Sequence, residues 1–373
     1  MYDLIVIGTG GVGSAVVADA ARRGLRVLGL DRHKPPHTYG SSHGESRVIR
    51  RSYFEHSDYV PLLSRAYELW DSLNHETGQT LFVRSGLVYY LNPNGPVALG
   101  VRGSSAEYSI ELESVTAEQA ARRWPQFLVP DGCDVLFEPD AGFLRVEDCI
   151  AAQLSIAAAF GADTAVEEVL TWTETPDHVR VTTQGDVYTA DRLIVTAGSW
   201  ATRTLHDIGL PLRVVLKQLH WFPVDESHGA RDKPVCFFYE VNDGYFYGFP
   251  DLGNGVKVAE HSGGVLLEAP ESGIGLSDER DTARVADFVR EFLRGTRGES
   301  DRTTHCLYTM TPDENFVIDR HPVCSRVTFA AGLSGHGFKF APALAELLLH
   351  LSLNGGSDYD VEFLSLNRFN HGI

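Results

Sequence analysis

The chain has 373 residues, 43% of them hydrophobic, and carries 32 Lys and Arg against 50 Asp and Glu, a formal charge of −18. That charge repels nucleic acid and anionic membrane surfaces, while the length supports two domains or one large domain with an elaborate insertion. Five cysteines, odd in number and without paired metal-ligand spacing, indicate a reducing compartment and no metal site. The apolar run Asp3 to Ile7 has the pattern of a strand buried on both faces of a parallel sheet, and it breaks at Gly8-Thr9-Gly10-Gly11-Val12-Gly13. Val12, Ala15, Val16 and Ala20 then recur at helical spacing up to Gly24, and Arg26 to Leu30 forms a second strand that stops at Asp31. In such a βαβ opening Gly8 permits the tight turn, Gly10 lets backbone N–H groups approach a pyrophosphate, and Gly13 lets helix and strand pack closely. Asp31 would accept a hydrogen bond from a ribose hydroxyl, which counts against NADP and leaves FAD and NAD open. Because this turn occupies the first residues, no cleaved signal is expected there. No apolar run approaches the ~20 residues of a membrane span, and the cytoplasm is the expected location.

His33 to Glu45 is rich in Pro, His, Gly and Ser and reads as a covering loop, followed at once by the cations Arg47, Arg50 and Arg51. A core helix is expected from Ser57 or Asp58, either one a good cap, through Trp70 and Leu73. From residue 81 the character changes: Phe82 to Tyr90 is β-branched and aromatic, and Thr116 to Gln119 is a capping box opening a short helix that Pro125 closes. The βαβ grammar returns with a helix from Val146 to Phe160 and strands near Thr164 to Thr173 and Val179 to Thr183. Asp191 to Val195 is another parallel strand, opening through Ala197 and Gly198 into a small-residue turn before Trp200. Arg213 to Val258 is strand after strand, and Ser277 to Arg294 is an amphipathic helix with Val285, Phe288, Val289 and Phe292 on one face. Arg326 to Gly332 and Pro342 to Leu353 return to the first pattern.

This order predicts an α/β protein with a Rossmann-type domain in three segments, 1–80, 140–212 and 311–373. A mostly antiparallel β domain is inserted as 81–139 and 213–310. A nucleotide domain interrupted twice by a β domain favours FAD over NAD, because such an arrangement sets a substrate against a flavin ring at the domain boundary.

Four stretches, in order, resemble the sarcosine oxidase family of flavoprotein amine oxidases, which includes N-methyltryptophan, pipecolate and fructosyl amino acid oxidases. They are Gly8 to Gly13; Ser41-Ser42-His43-Gly44-Glu45-Ser46-Arg47-Val48-Ile49-Arg50; Tyr247-Gly248-Phe249-Pro250 through Lys257 to His261; and Cys306-Leu307-Tyr308-Thr309 through Gly335-His336-Gly337-Phe338-Lys339-Phe340. The resemblance implies covalent FAD on an 8α thioether to Cys306, with Arg47 against the flavin and Lys257 activating oxygen. It also implies Arg50 and Lys339 holding a substrate carboxylate, with Tyr247, His261 and Tyr308 around the amine. Ser42, His43, Ser46, Ala197, Gly198, Trp200, Gly335, His336, Gly337 and Phe338 join the glycine turn and Asp31 as cofactor-binding positions. Taken alone, Lys257 fits a pocket or solvent equally, and His261 is as plausible in a core. Ser46 stands where some relatives carry Thr, and Ala259 and Glu260 fall where they vary, so substrate side-chain contacts are expected near such positions.

The implied activity is oxidation of a secondary (N-methyl) amino acid by hydride transfer to FAD, with imine hydrolysis and reduction of O2 to hydrogen peroxide, by a monomer or weak oligomer. A cyclic or bulkier amine held by Trp221, Phe246 and Tyr308 is the alternative within the family. An NAD-dependent dehydrogenase and a flavin-binding protein without turnover are the alternatives outside it.

Overall fold

The computed structural model describes residues 1–225, 228, 234–241, 244–273, 275–356 and 359–369. Its opening strand Tyr2–Ile7 lies inside an eight-stranded sheet, parallel to Val27–Asp31 on one side and to Val187–Val195 on the other. Asp163–Val166 continues the parallel set beyond Val27–Asp31, and Val327–Ala331 runs parallel to Val187–Val195. Residues far apart in sequence thus complete one twisted core, covered by the helices Gly11–Arg22, Tyr59–Thr77, Val146–Ala159 and Ala341–Asn354. The glycine turn is sterically fixed. Gly8 has φ +87°, and a Cβ on Gly13 would stand 1.8 Å from the Gly8 carbonyl oxygen.

The two inserted blocks share a second, nine-stranded sheet. It is antiparallel except where Cys236–Val241 runs parallel to Leu87–Leu91, the pairing that joins one block to the other. On its far face the helix Glu279–Phe292 buries Val285, Phe288, Val289 and Phe292, and its Asp278 cap accepts from the N–H groups of Arg280 and Asp281. The Thr116 capping box forms as expected.

One local expectation, the cap of the second helix, is corrected, and two neighbouring features add detail that was not anticipated. Phe82 to Tyr90 is two strands, Phe82–Val83 and Leu87–Leu91, in different sheets; the break falls at Gly86, whose φ of +73° no continuous strand accommodates. Helix Tyr59–Thr77 starts without a side-chain cap, since Asp58 already has helical backbone angles and its carboxylate lies 3.7 Å from His56 Nδ1. A helix not anticipated, Pro96–Tyr108, places Gly100 against Phe54, where a Cβ would meet the Phe54 Cα at 2.7 Å. The signal for it was Pro96 in the first turn with Val97, Ala98 and Val101 on one face.

Candidate active site

A long groove runs over the C-terminal ends of the parallel strands, the position a dinucleotide takes in this architecture. Gly8, Gly10, Asp31, Ser42, Arg47, Ala197, Gly198, Trp200, Cys306, Gly335, Gly337 and Phe338 all line it. At one end the helix Gly11–Arg22 presents its N-terminus with no acidic residue in its first turn, so an anion there meets no opposing charge. Asp31 takes hydrogen bonds from the Thr9 N–H at 2.8 Å and the His33 N–H at 3.0 Å, with His37 Nε2 at 3.3 Å. Burial alone would raise its pKa, but the bonds from His37, His33 and Thr9 outweigh it and keep the carboxylate charged. Glycine turn, ribose acceptor and unopposed helix terminus together fit FAD. Gly13, His43 and Ser46 do not line the groove. The His43 Nε2 and Ser46 Oγ are buried without hydrogen-bond partners among the described residues, and burial pushes the His43 pKa down to about 3.

Cys306 stands in the strand Arg302–Met310, 1% exposed, with its sulfur 3.3 Å from Arg47 Nη2 and 3.5 Å from the Ser41 carbonyl. Arg47 also donates to the Ser41 carbonyl at 2.8 Å and to the Ser46 carbonyl at 2.9 Å. The Ser46 carbonyl is shared. Lys257 Nζ donates to it at 2.6 Å and to the Gly44 carbonyl at 2.7 Å, while packing 4.0 Å from the Phe249 ring centre. Lys257 is 2% exposed, which rules out the solvent-facing alternative. It lies behind Arg47 rather than on the wall of either cavity. Burial, reinforced by the charge of Arg47, holds its pKa well below that of an ordinary lysine.

A second, smaller cavity opens beside the groove and shares Arg47, Tyr308, Gly335 and Phe338 with it. Arg50, Lys339, Tyr247 and His261 line the smaller cavity. Arg50 is nevertheless not waiting for a partner: Nη2 lies 2.7 Å from both oxygens of Glu55, Nη1 donates to the Ser52 carbonyl at 2.8 Å, and the guanidinium sits over the rings of Tyr53 and Phe54. Lys339 Nζ donates to the His336 carbonyl at 2.7 Å. Burial and the nearby Arg50, offset in part by Glu55, bring its pKa down to about 7. Burial brings His261 to about 4, so the imidazole is neutral at pH 7. The hydroxyls of Tyr247 and Tyr308 lie 3.5 Å apart.

His336, expected at the cofactor, lines this second cavity and not the groove. Its Nε2 faces the Glu314 carbonyl at 3.0 Å, which makes Nε2 the protonated nitrogen and Nδ1 the acceptor for the Tyr53 hydroxyl at 2.5 Å. The remaining walls are Val48, Phe54, Leu87, Phe237 and Phe238. None of these was anticipated, and neither was Glu55. The expected positions Ser46, Ala259 and Glu260 do not reach the cavity; Glu260 pairs instead with Arg284 at 2.9 Å. Two of the three aromatics proposed for a bulky substrate are elsewhere as well. Phe246 stacks on Phe288 under the far helix at 4.4 Å, and the Trp221 indole donates to Glu45 at 3.0 Å.

Residues 3–351 match the model of the family described as FAD dependent oxidoreductase. The chain is 37% identical to the monomeric sarcosine oxidase of Bacillus sp. (strain B-0618), over 98% of this chain and 96% of that one. It is 36% identical to the N-methyl-L-tryptophan oxidase of Salmonella enteritidis PT4 (strain P125109), over 99% of both. Among solved structures, NikD, an unusual amino acid oxidase essential for nikkomycin biosynthesis, superposes in its open form with a TM-score of 0.85 at 24% identity, covering 98% of this chain and 97% of that one. L-proline dehydrogenase from P. horikoshii gives 0.82 at 20%, covering 99% and 98%. The chain belongs to the FAD dependent oxidoreductase family, in the branch of the monomeric sarcosine and N-methyltryptophan oxidases.

It is an FAD-dependent oxidase of the C–N bond of a secondary amine or amino acid, with O2 as acceptor and hydrogen peroxide as product. That removes the NAD-dependent dehydrogenase and the flavin-binding protein without turnover. Among the described residues no helix is long and apolar enough to cross a membrane.

Proposed function

We propose that the substrate is a small secondary amino acid of the sarcosine type, bound in the second cavity with its carboxylate toward Arg50 and Lys339. One observation carries this: two buried cations converge on a cavity that opens onto the flavin groove. FAD supplies the hydride acceptor and the route for electrons to O2. The protein's own part is to orient and to exclude water. Arg50 and Lys339 fix the carboxylate, aromatic walls keep the site dry, and the neutral His261 with the two tyrosine hydroxyls faces the amine without an added positive charge that would compete with it. Segments 1–80, 140–212 and 311–373 form the cofactor domain in this proposal, and 81–139 with 213–310 the substrate domain. In a peroxide assay across N-methyl amino acids of increasing side-chain size, kcat/KM should be highest for sarcosine and fall steeply at N-methyltryptophan. The reverse order would overturn the proposal.

The flavin is further proposed to be covalently attached through Cys306, whose sulfur lines the groove beside Arg47. A thioether survives unfolding and noncovalent FAD does not. Acid-precipitated protein should stay yellow, with FAD mass on the peptide holding Cys306, whereas complete loss of colour from flavin-replete protein would leave Cys306 a buried structural thiol.

A further inference from the structure

Glu138 ends the strand Asp134–Glu138 of the nine-stranded sheet, pairs in register with Leu87, and has no measurable exposure. A fully buried carboxylate is costly unless its oxygens are satisfied. Among the described residues no cation is paired with it. Its partners are the successive backbone N–H groups of Arg51 at 2.6 Å and Ser52 at 3.1 Å, with the Tyr89 hydroxyl at 3.3 Å. These two peptides belong to the turn that follows Arg50, and the Ser52 carbonyl in the same turn accepts from Arg50 Nη1 at 2.8 Å. A continuous path therefore runs from the substrate-domain sheet, through the peptides of residues 51 and 52, to the guanidinium in the cavity wall.

The opposite side of that guanidinium is held differently. Glu55 grips Nη2 from a segment with no regular secondary structure, and an incoming carboxylate must compete with it for Arg50. Once Glu55 yields, the Ser52 carbonyl is the hydrogen-bonded anchor of Arg50 that remains, and Glu138 is what keeps that carbonyl in place. Two N–H donors on one carboxylate restrict the turn strongly, because rotating either peptide breaks a charge-assisted bond in a dry site. Burial raises the Glu138 pKa, and the hydrogen bonds from Arg51 and Ser52, with the nearby Arg50 guanidinium, offset that only in part.

We infer that Glu138 is a positioning residue for substrate recognition: by clamping the peptides of Arg51 and Ser52 it sets the plane of the Arg50 guanidinium and so the selectivity for carboxylate-bearing amines. The inference rests on the proposal that Arg50 binds the substrate carboxylate. It deepens that proposal by naming a residue outside the cavity wall on which the selectivity depends.

The test measures apparent binding constants for sarcosine and for dimethylamine, its decarboxylated counterpart, from anaerobic flavin reduction in wild-type holoenzyme and in Glu138→Gln. The amide keeps the shape and one acceptor but cannot accept both N–H groups. Sarcosine binding should weaken about tenfold while dimethylamine binding and the limiting rate of flavin reduction stay within about twofold, a split that general loss of structure would not produce. Tyr89→Phe, which leaves the backbone clamp intact, should behave as wild type. If Glu138→Gln does not take up flavin, Glu138→Asp, which keeps the charge but not the reach, is measured in its place with the same expectation. Equal weakening of both ligands, or an undiminished preference for sarcosine, overturns the role of Glu138. A wild-type protein with no preference for sarcosine overturns the Arg50 proposal instead.

Discussion

Lys257→Met should slow reoxidation of the reduced enzyme by roughly a hundredfold to a thousandfold, the usual loss for one electrostatic donor at a reacting centre, while anaerobic reduction changes by less than about tenfold. The geometry gives this lysine its asymmetry between half-reactions. Its Nζ is held by the carbonyls of Gly44 and Ser46, behind Arg47, where burial and a neighbouring guanidinium both disfavour the ammonium. A group held in that way gains most from its proton when negative charge appears nearby, which is the condition reached when electrons pass to oxygen and not when substrate binds. Stopped-flow measurement of the two half-reactions checks it. Equal losses in both would mean that Lys257 acts only by fixing the Ser46 carbonyl, and through it Arg47.

Replacing Arg50 should weaken sarcosine binding by roughly tenfold to over a hundredfold, the equivalent of losing a charge-assisted contact of about 1.5 to 3 kcal/mol. Arg50→Ala does more than that, however, since it strands Glu55 as a buried unpaired carboxylate, and breaking such a pair typically costs about 3–5 kcal/mol of stability. The informative pair is therefore Arg50→Lys, which keeps the charge but not the planar fork, and Arg50→Ala combined with Glu55→Gln. Both should bind sarcosine more weakly than wild type, with the lysine variant recovering only part of the loss. The second cation adds a pH signature. Lys339 sits near pKa 7 in the ligand-free pocket, and a bound carboxylate favours its ammonium and raises that value. Affinity for a small carboxylate lacking an amine should therefore be full below pH 7 and fall as pH rises above it, until the raised pKa of the complex is passed. A pH-independent affinity in Arg50-intact protein would remove Lys339 from the carboxylate site.

Much of this site was legible because glycine and cysteine carry local constraints. The Gly8 to Gly13 spacing encodes a turn that no other residues can make, and it located the groove without any knowledge of tertiary contacts. Strand alternation is equally readable in the sequence. Tyr247 and Phe246 are adjacent on one strand, so they face opposite sides, and a pocket wall at Tyr247 already excluded Phe246. Glu55 and Glu138 were not legible. One stands in a segment without periodicity, the other in a strand where an acid reads as solvent-facing, and only the folded chain reveals that both carboxylates serve Arg50 and its turn. The aromatic wall was hidden for the same reason, since Phe54 lines the cavity from a segment without periodicity, packed against Gly100 of the unanticipated helix Pro96–Tyr108.

The single parallel pairing of Cys236–Val241 with Leu87–Leu91 bears on how the molecule comes into being at the ribosome. Contacts of such sequence separation form late and slowly. The substrate sheet cannot close until its second block has been synthesised, and the cofactor sheet still awaits Val327–Ala331, which pairs with Val187–Val195. Until then the two strands exposed as partners, Leu87–Leu91 and Val187–Val195, are open edges of the kind that recruit other chains. Completion of the flavin groove and escape from aggregation are thereby tied to the same moment, the arrival of the last segment.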